Sequence, residues 1–178
     1  QVDLSQLHDS AVVEDSRAKK HTVPGKLLDL AGLSAILAKQ GFKPANVLKT
    51  YQEMYENQIV SYPRTEDKEV TPEQFGELVP LVDKIASVVG VDTSLLSHRA
   101  ARKTHVKEGG AHGANRPGIN VPESLAELER GYGKIGSAIY SVLAKNYLAM
   151  LAEDYEYELV KGHVRDFPAY VGQTQIPI

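Results

Sequence analysis

The sequence predicts a mainly α chain with a small β part at both ends. Apolar residues recur at helical spacing between residues 30 and 151, and the pattern changes to period two from residue 155 onward. Prolines, glycines and one capping box fall where such helices would start and stop.

Residues 10–23 (SAVVEDSRAKKHTV) mix β-branched residues with charges and read as a strand or its edge, closed by Pro24-Gly25. Asp29 is an N-cap for a helix over 30–39, with Leu33, Ile36 and Leu37 on one face and Gly41 beyond its end. Pro44 suits the first turn of a second helix running to residue 56, striped by Val47, Tyr51, Met54 and Tyr55. Ile59-Val60-Ser61-Tyr62 then reads as extended. Two helices, a short glycine-containing turn and a strand form a winged-helix-like order. Thr71-Pro72-Glu73-Gln74 is a capping box with proline at the first helical position. Its helix carries Phe75, Leu78, Val79, Val82 and Ile85, is kinked or divided at Pro80, and closes at Gly90. A short helix is expected from residue 93 or 94 to 101, a loop over 103–122, and a short helix over 123–129 broken by Gly131 and Gly133. Ile135, Ile139, Leu143, Tyr147 and Leu151 mark a long amphipathic helix. Tyr155, Tyr157 and Leu159 alternate with charges, and 167–176 is strand-like although interrupted by Pro168 and Gly172.

At 178 residues the length permits one ordinary domain, with or without parts of a second. The composition, 42% apolar and 24% charged, is that of a globular chain able to bury a core. Without cysteine there are no disulfides and no thiolate metal sites, which fits a reducing cytoplasm. No apolar run approaches the length of a bilayer span, so no membrane partner is expected. Gln1 stands at the start without a methionine, so the chain is read as a piece of something larger. The net charge of −3 argues against a generic nucleic-acid sponge, but the charge is unevenly spread. Residues 94–116 carry +4 and residues 66–92 carry −5, which suggests a localised anion site; ordinary solvated surface explains it equally well.

Ser61-Tyr62-Pro63-Arg64-Thr65 is the segment most suggestive of chemistry. In an extended chain, side chains at i and i+2 point the same way, so Tyr62 and Arg64 would face one target. A phenol with a pKa of about 10 is a poor nucleophile at neutral pH, and a fixed cation nearby favours its ionised form. A guanidinium also grips phosphate oxygens in a bidentate fork. Tyrosine and arginine so placed suit attack on a phosphodiester. Alone, such a triplet reads as a half-buried tyrosine beside a solvated arginine.

The surroundings decide between these readings. Residues 51–65 (YQEMYENQIVSYPRT) resemble the LYExGxISYPRTD-type active-site stretch of type IA DNA topoisomerases. Residues 24–30 (PGKLLDL) resemble the family's PxKLxDLTxLQ block in its topoisomerase III-like version. Residues 111–117 (AHGANRP) resemble its AHEAIRP block, and residues 139–155 its LYxLIxRRFLAxxxxDY helix. The four occur in the family's order and cover most of the chain. Departures mark a divergent member: Gln58 stands at a usual glycine, Glu66 at an aspartate, Gly113 at a glutamate and Asn115 at an apolar residue.

The resemblance implies the tyrosine-bearing gate domain of that fold, winged-helix or CAP-like, inserted into an arch of β-structure. On that reading residues 1–23 and 155–178 are strand stubs of the arch, lying side by side, and residues 24–154 are the helical gate domain. It further implies an ATP-independent enzyme that cuts and reseals single-stranded DNA through a 5′-phosphotyrosine, with Tyr62 as nucleophile. Arg64 and His112 would act on the phosphate, and Arg116, Lys107, Thr65, Arg102 and Lys103 would contact DNA. Mg²⁺ is expected on an acidic TOPRIM domain of the parent, with no metal site in this piece. The piece alone is therefore expected to be inactive, its partners being single-stranded DNA and the parent's other domains. His98, His105 and His112 recur every seven residues, which is not a metal-binding spacing. Tyr51 and Tyr55 read as core. The competing reading is a winged-helix DNA-binding module whose tyrosine is structural; a third is an interaction domain with no nucleic-acid role.

Overall fold

The computed structural model describes residues 12–22, 24–164 and 167–177. The expected end strands therefore lie partly outside the described residues. The chain divides into two compact units, Gln1–Val23 with Asp154–Ile178, and Pro24–Glu153.

The first unit is a three-stranded antiparallel sheet in the order β1-β2-β3. Strand β1 (Val12–Thr22) pairs with β2 (Tyr155–Val164) from Val12↔Val164 to Thr22↔Tyr155, with a register shift between Glu14 and Ser16. Strand β3 (Phe167–Pro177) returns along the other edge of β2. Gly172 pairs with Gly162 within the ladder, but the register shifts between His163 and Val164, so the pairing passes from Val171 to Phe167 and skips 168–170, Pro168 among them. Among the described residues β3 is the last strand in the order, and at such an edge a missing proline donor is tolerated.

The second unit is helical. Helix α1 (Leu30–Lys39) starts where Asp29 accepts a hydrogen bond from the Gly32 N–H, and α2 (Pro44–Glu56) starts on its proline. Helix α3 (Pro72–Leu78) opens with the reciprocal Thr71–Gln74 capping box. Pro80 divides the next stretch: a 3₁₀ turn, Val79–Leu81, separates α3 from α4 (Val82–Val89), which ends on left-handed Gly90. The stretch α5 (Leu125–Ala149) is two helices joined at a sharp kink: Gly133 (φ 75°, ψ −177°) is not helical, so the break expected at these glycines is present. Its second half buries Ile139, Tyr140, Leu143, Ala144, Tyr147 and Leu148 against α1, α2 and α4. Leu33, Leu37, Val47, Tyr51, Met54, Val82 and Ile85 meet them, and this cluster is the core on which the loops are mounted.

Two expected elements are shorter than the pattern suggested. Residues 59–62 form no strand; their pairing is reduced to a single bridge, Val60↔Pro117. Pro63 and Pro117 each lack an N–H, so a longer ladder has no donors there. Residues 93–101 form only the 3₁₀ turn Thr93–Leu95. Beyond it the chain is drawn to the end of α5: the His98 N–H donates to the Leu151 carbonyl (2.8 Å), and the Arg102 guanidinium to the carbonyls of Met150 and Ala152. No helix among the described residues is long and apolar enough to cross a membrane.

Candidate active site

Helix α2 ends in a Schellman arrangement. The Gln58 N–H donates to the Tyr55 carbonyl (2.9 Å) and the Ile59 N–H to the Met54 carbonyl (3.0 Å), while Ile59 and Met54 are both buried. This turn reverses the chain and launches residues 60–65. The same motif closes α1, with Gly41 at φ 94° in the left-handed position. At α2 that position is held by Gln58 at φ 61°, the one described non-glycine residue with positive φ. Where the resembled family has glycine, this chain adopts the glycine conformation without the glycine.

The launched segment is held from two sides. The Ser61 N–H donates to the Arg116 carbonyl (3.0 Å), the Arg116 N–H to Ser61 Oγ (3.0 Å) and the Gly118 N–H to the Ile59 carbonyl (2.7 Å). A Cβ on Gly118 would lie 2.1 Å from the Gln58 carbonyl oxygen, so the two backbones touch at a place only glycine allows. Asn115 is buried. Its backbone N–H donates to the Leu28 carbonyl (2.8 Å), and its amide, in the orientation that satisfies both of its neighbours, donates to the Tyr62 carbonyl (3.1 Å). The motif residues 24–30, 59–65 and 114–118 are thereby laced together, far apart in sequence but adjacent in space.

Tyr62 is half-buried, its ring held between two others. The Tyr55 ring meets it edge-on, centroids 5.6 Å apart at 82°, and the His112 ring lies over it at 4.2 Å and 32°. Its hydroxyl makes no hydrogen bond among the described residues. Burial in the core pushes the phenols of Tyr51, Tyr140 and Tyr147 upward, away from ionisation. Tyr55 is 37% exposed, so it is not the core residue its spacing suggested.

His112 is set in place by groups the sequence reasoning missed. Asp67 accepts from the backbone N–H groups of His112 (3.1 Å) and Gly113 (2.9 Å). The His112 N–H, above all, holds the Asp67 carboxyl below its usual range. Gln74 closes the capping box with one end of its amide, and with the other donates to the His112 carbonyl (3.2 Å). Gly113 sits at φ 74°; a Cβ there would lie 2.3 Å from Gln74 Oε1 and 2.8 Å from Arg116 Nη1. A glutamate at this position would have to displace the ends of Gln74 and Arg116 and adopt a left-handed backbone. The capping box was legible in sequence; its second bond, to a carbonyl 38 residues away, was not.

The other expected residues are distributed differently. The chain bends at Pro63 and Arg64, so the extended geometry that would aim Tyr62 and Arg64 together is not formed. Arg64 is exposed, has no hydrogen bond or ion pair among the described residues, and lines a groove of about 480 Å³ with Asp29, Ser34 and Glu66. Thr65 is buried, and its hydroxyl accepts from the Asp67 N–H (3.1 Å), so it braces the turn rather than facing solvent. The Arg102 guanidinium, an expected DNA contact, donates to the carbonyls of Met150 and Ala152 after α5 and so tethers this loop. Arg116 Nη1 donates to the carbonyls of His112 (3.2 Å) and Ala114 (2.9 Å), and burial holds its guanidinium below the usual arginine range. Lys107 lies 3.9 Å from Glu69, which Lys26 pairs more closely (2.7 Å); Lys103 is exposed. The three histidines do not converge. Buried His105 bridges Thr104 and the Gly25 carbonyl, and no group of three His, Asp or Glu among the described residues could hold a metal ion.

A model of the DNA topoisomerase family matches residues 2–168. The chain therefore belongs to the DNA topoisomerase family, as a type IA member. It is similar in structure to full-length topoisomerase I from Thermotoga maritima, with a TM-score of 0.63 and 20% sequence identity. The match covers 99% of this chain and 30% of that one, and at this identity it speaks to the fold. No curated protein matches the sequence.

Proposed function

We propose that this chain is the tyrosine-bearing part of a type IA topoisomerase and that Tyr62 is the nucleophile that cuts single-stranded DNA. The observation that carries the reading is the setting of Tyr62. In a segment matching the family's motif, its ring is clasped by Tyr55 and His112 while its hydroxyl is left without a protein partner. Rings that fix a side chain's orientation while its reactive atom stays available supply the positioning that attack on phosphorus requires.

In the step, the phenolic oxygen loses its proton and forms a bond to phosphorus. The bond from phosphorus to the 3′ oxygen breaks, and that oxygen leaves as a hydroxyl after taking up a proton. The 5′ phosphate stays on Tyr62, so one phosphodiester is exchanged for another and the 3′ hydroxyl can reverse the exchange after a strand has passed. On this reading His112, whose ring lies against that of the nucleophile, would donate to a phosphate oxygen. Arg64 reaches the same strand from its own groove, a phosphate contact rather than a partner of the phenol. Lys103, Lys107 and the outer face of Arg116 are the remaining candidate backbone contacts. The Mg²⁺ of the parent enzyme would be held by carboxylates of a TOPRIM domain outside this chain, and the winged-helix-like order of α1, α2 and the following segment would carry the gate.

The test is adduct formation. The chain is combined with the missing catalytic domain, joined or added separately, and incubated with labelled single-stranded DNA and Mg²⁺. A denaturation-resistant adduct is expected with the native chain and none with Tyr62→Phe; an adduct that survives the substitution removes Tyr62 from the mechanism. The chain by itself should not relax supercoiled plasmid.

A further inference from the structure

Beside the nucleophile lies a pocket that the strand-cutting reaction does not use. It has a volume of about 150 Å³ and is lined by Tyr55, Ser61, Glu77, Arg116, Gly118 and Ile119 among others. We propose that it receives one unpaired nucleobase of the strand whose phosphate Tyr62 attacks, an inference that rests on the reading of Tyr62 given above.

Four observations point to a base. Size comes first: a cavity of roughly 150 Å³ accommodates a single benzene-sized ring, whereas pockets for larger organic ligands start at about 300 Å³. Second, the pocket has an aromatic wall with accessible surface. Tyr55 is 37% exposed, and stacking on an aromatic side chain is how unpaired bases are held without regard to sequence. Third, its lining carries both hydrogen-bonding characters that a base edge needs. Glu77 accepts, and Arg116 donates through Nε and Nη2, which have no partner among the described residues because only Nη1 is engaged by loop carbonyls. Fourth, the pocket is contiguous with the nucleophile. Tyr55 is at once a wall of the pocket and the edge-on neighbour of the Tyr62 ring, so pocket and nucleophile are separated by the width of one aromatic ring. A nucleotide next to the scissile phosphate spans that distance. Ile119, 57% exposed, adds an apolar surface with no partner in the second unit that would explain its exposure.

The experiment uses the 178-residue chain and a fluorescent oligodeoxynucleotide of about ten residues, within the range one such module covers. A single abasic residue is walked along the strand. With the native chain, affinity should fall roughly ten-fold at one or two positions, the worth of one base–aromatic stack, and little elsewhere. Tyr55→Leu and, independently, Ile119→Ser should bind every abasic strand alike; the second variant alters an exposed residue, so folding cannot account for its effect. Equal affinity of the native chain for all strands would overturn the pocket while leaving DNA binding intact. An abasic penalty that persists in both variants would place the base elsewhere. Failure to bind any strand, at low salt as well as high, would sink the DNA reading together with the pocket.

Discussion

Replacing Gln58 by glycine should make the protein more stable. Gln58 occupies the left-handed position of the turn that ends α2, at φ 61°, and an L-residue there costs roughly 1–2 kcal/mol relative to glycine. Glycine gives part of that back, because its unfolded chain has more freedom to lose, roughly 0.4–1 kcal/mol. The net expectation is a gain of about 0.5–1 kcal/mol. Gly41 occupies the equivalent position after α1 at φ 94°, and a Cβ there would meet nothing within 4 Å. Gly41→Gln therefore isolates the backbone term and should lose a similar amount. Urea unfolding followed by far-ultraviolet circular dichroism reads both: the midpoints should move in opposite directions with the slope unchanged. For a chain of this length, 1 kcal/mol corresponds to about 2–4 °C in Tm. If Gln58→Gly is neutral or destabilising while Gly41→Gln is destabilising, the strain assigned to Gln58 is not there, and the account of this departure from the family pattern fails.

Three further outcomes are expected. Gly113→Ala should destabilise by about 1–3 kcal/mol, from the left-handed backbone and the displaced Gln74 amide, and should weaken the ring-current shift that Tyr62 imposes on His112 in proton NMR spectra; unchanged stability and shifts would contradict the geometry. Arg102→Ala should cost about 1–2 kcal/mol by stranding the carbonyls of Met150 and Ala152, yet leave single-stranded DNA affinity within two-fold, because its guanidinium is a tether; a large affinity loss without destabilisation would restore it as a DNA contact. The third concerns pH. Asp67 is held below its usual pKa chiefly by the His112 N–H, and Glu69 chiefly by Lys26. Between their folded and unfolded values the unfolded chain binds more protons. Their contribution to stability is thus complete above the ordinary carboxylate values of the unfolded chain and is lost as pH falls through the lower folded values. Asp67→Asn should flatten the acid limb of a stability–pH profile, and an unaltered limb would show that the carboxylate does not hold the loop.

What the sequence made legible were features determined within a few residues. Asp29, Pro44, the Thr71–Gln74 box and Pro80 fixed where helices begin and divide, because caps and prolines act on their own turn. Tyr62 was legible for another reason: its motif is contiguous, so a resemblance could be carried by a dozen adjacent letters. The groups that shape its surroundings were not, since each acts across a long gap. Asp67 reaches the Gly113 N–H from 46 residues away, and nothing local distinguishes it from its acidic neighbours Glu66 and Glu69. Residues 93–101 carried a helical pattern that lost to bonds with the end of α5, a tertiary override that no window of sequence contains.

The departures from the family pattern are where local and distant reasoning meet. Gln58 keeps a glycine conformation and bears its strain. Asn115 is buried, and its side chain ties the carbonyl of Tyr62 to the loop of His112. Gly113 takes a left-handed backbone in a loop held by Asp67, Gln74 and Arg116, and a larger side chain there must displace the ends of Gln74 and Arg116. A change at Gly113 is therefore coupled to Gln74 and Arg116. A double change of Gly113→Ala with Gln74→Ala, which removes the amide a Cβ would strike, should cost less than the sum of its single changes. Strict additivity would mean that the Gly113 loop and the capping box do not share the strain assigned to them.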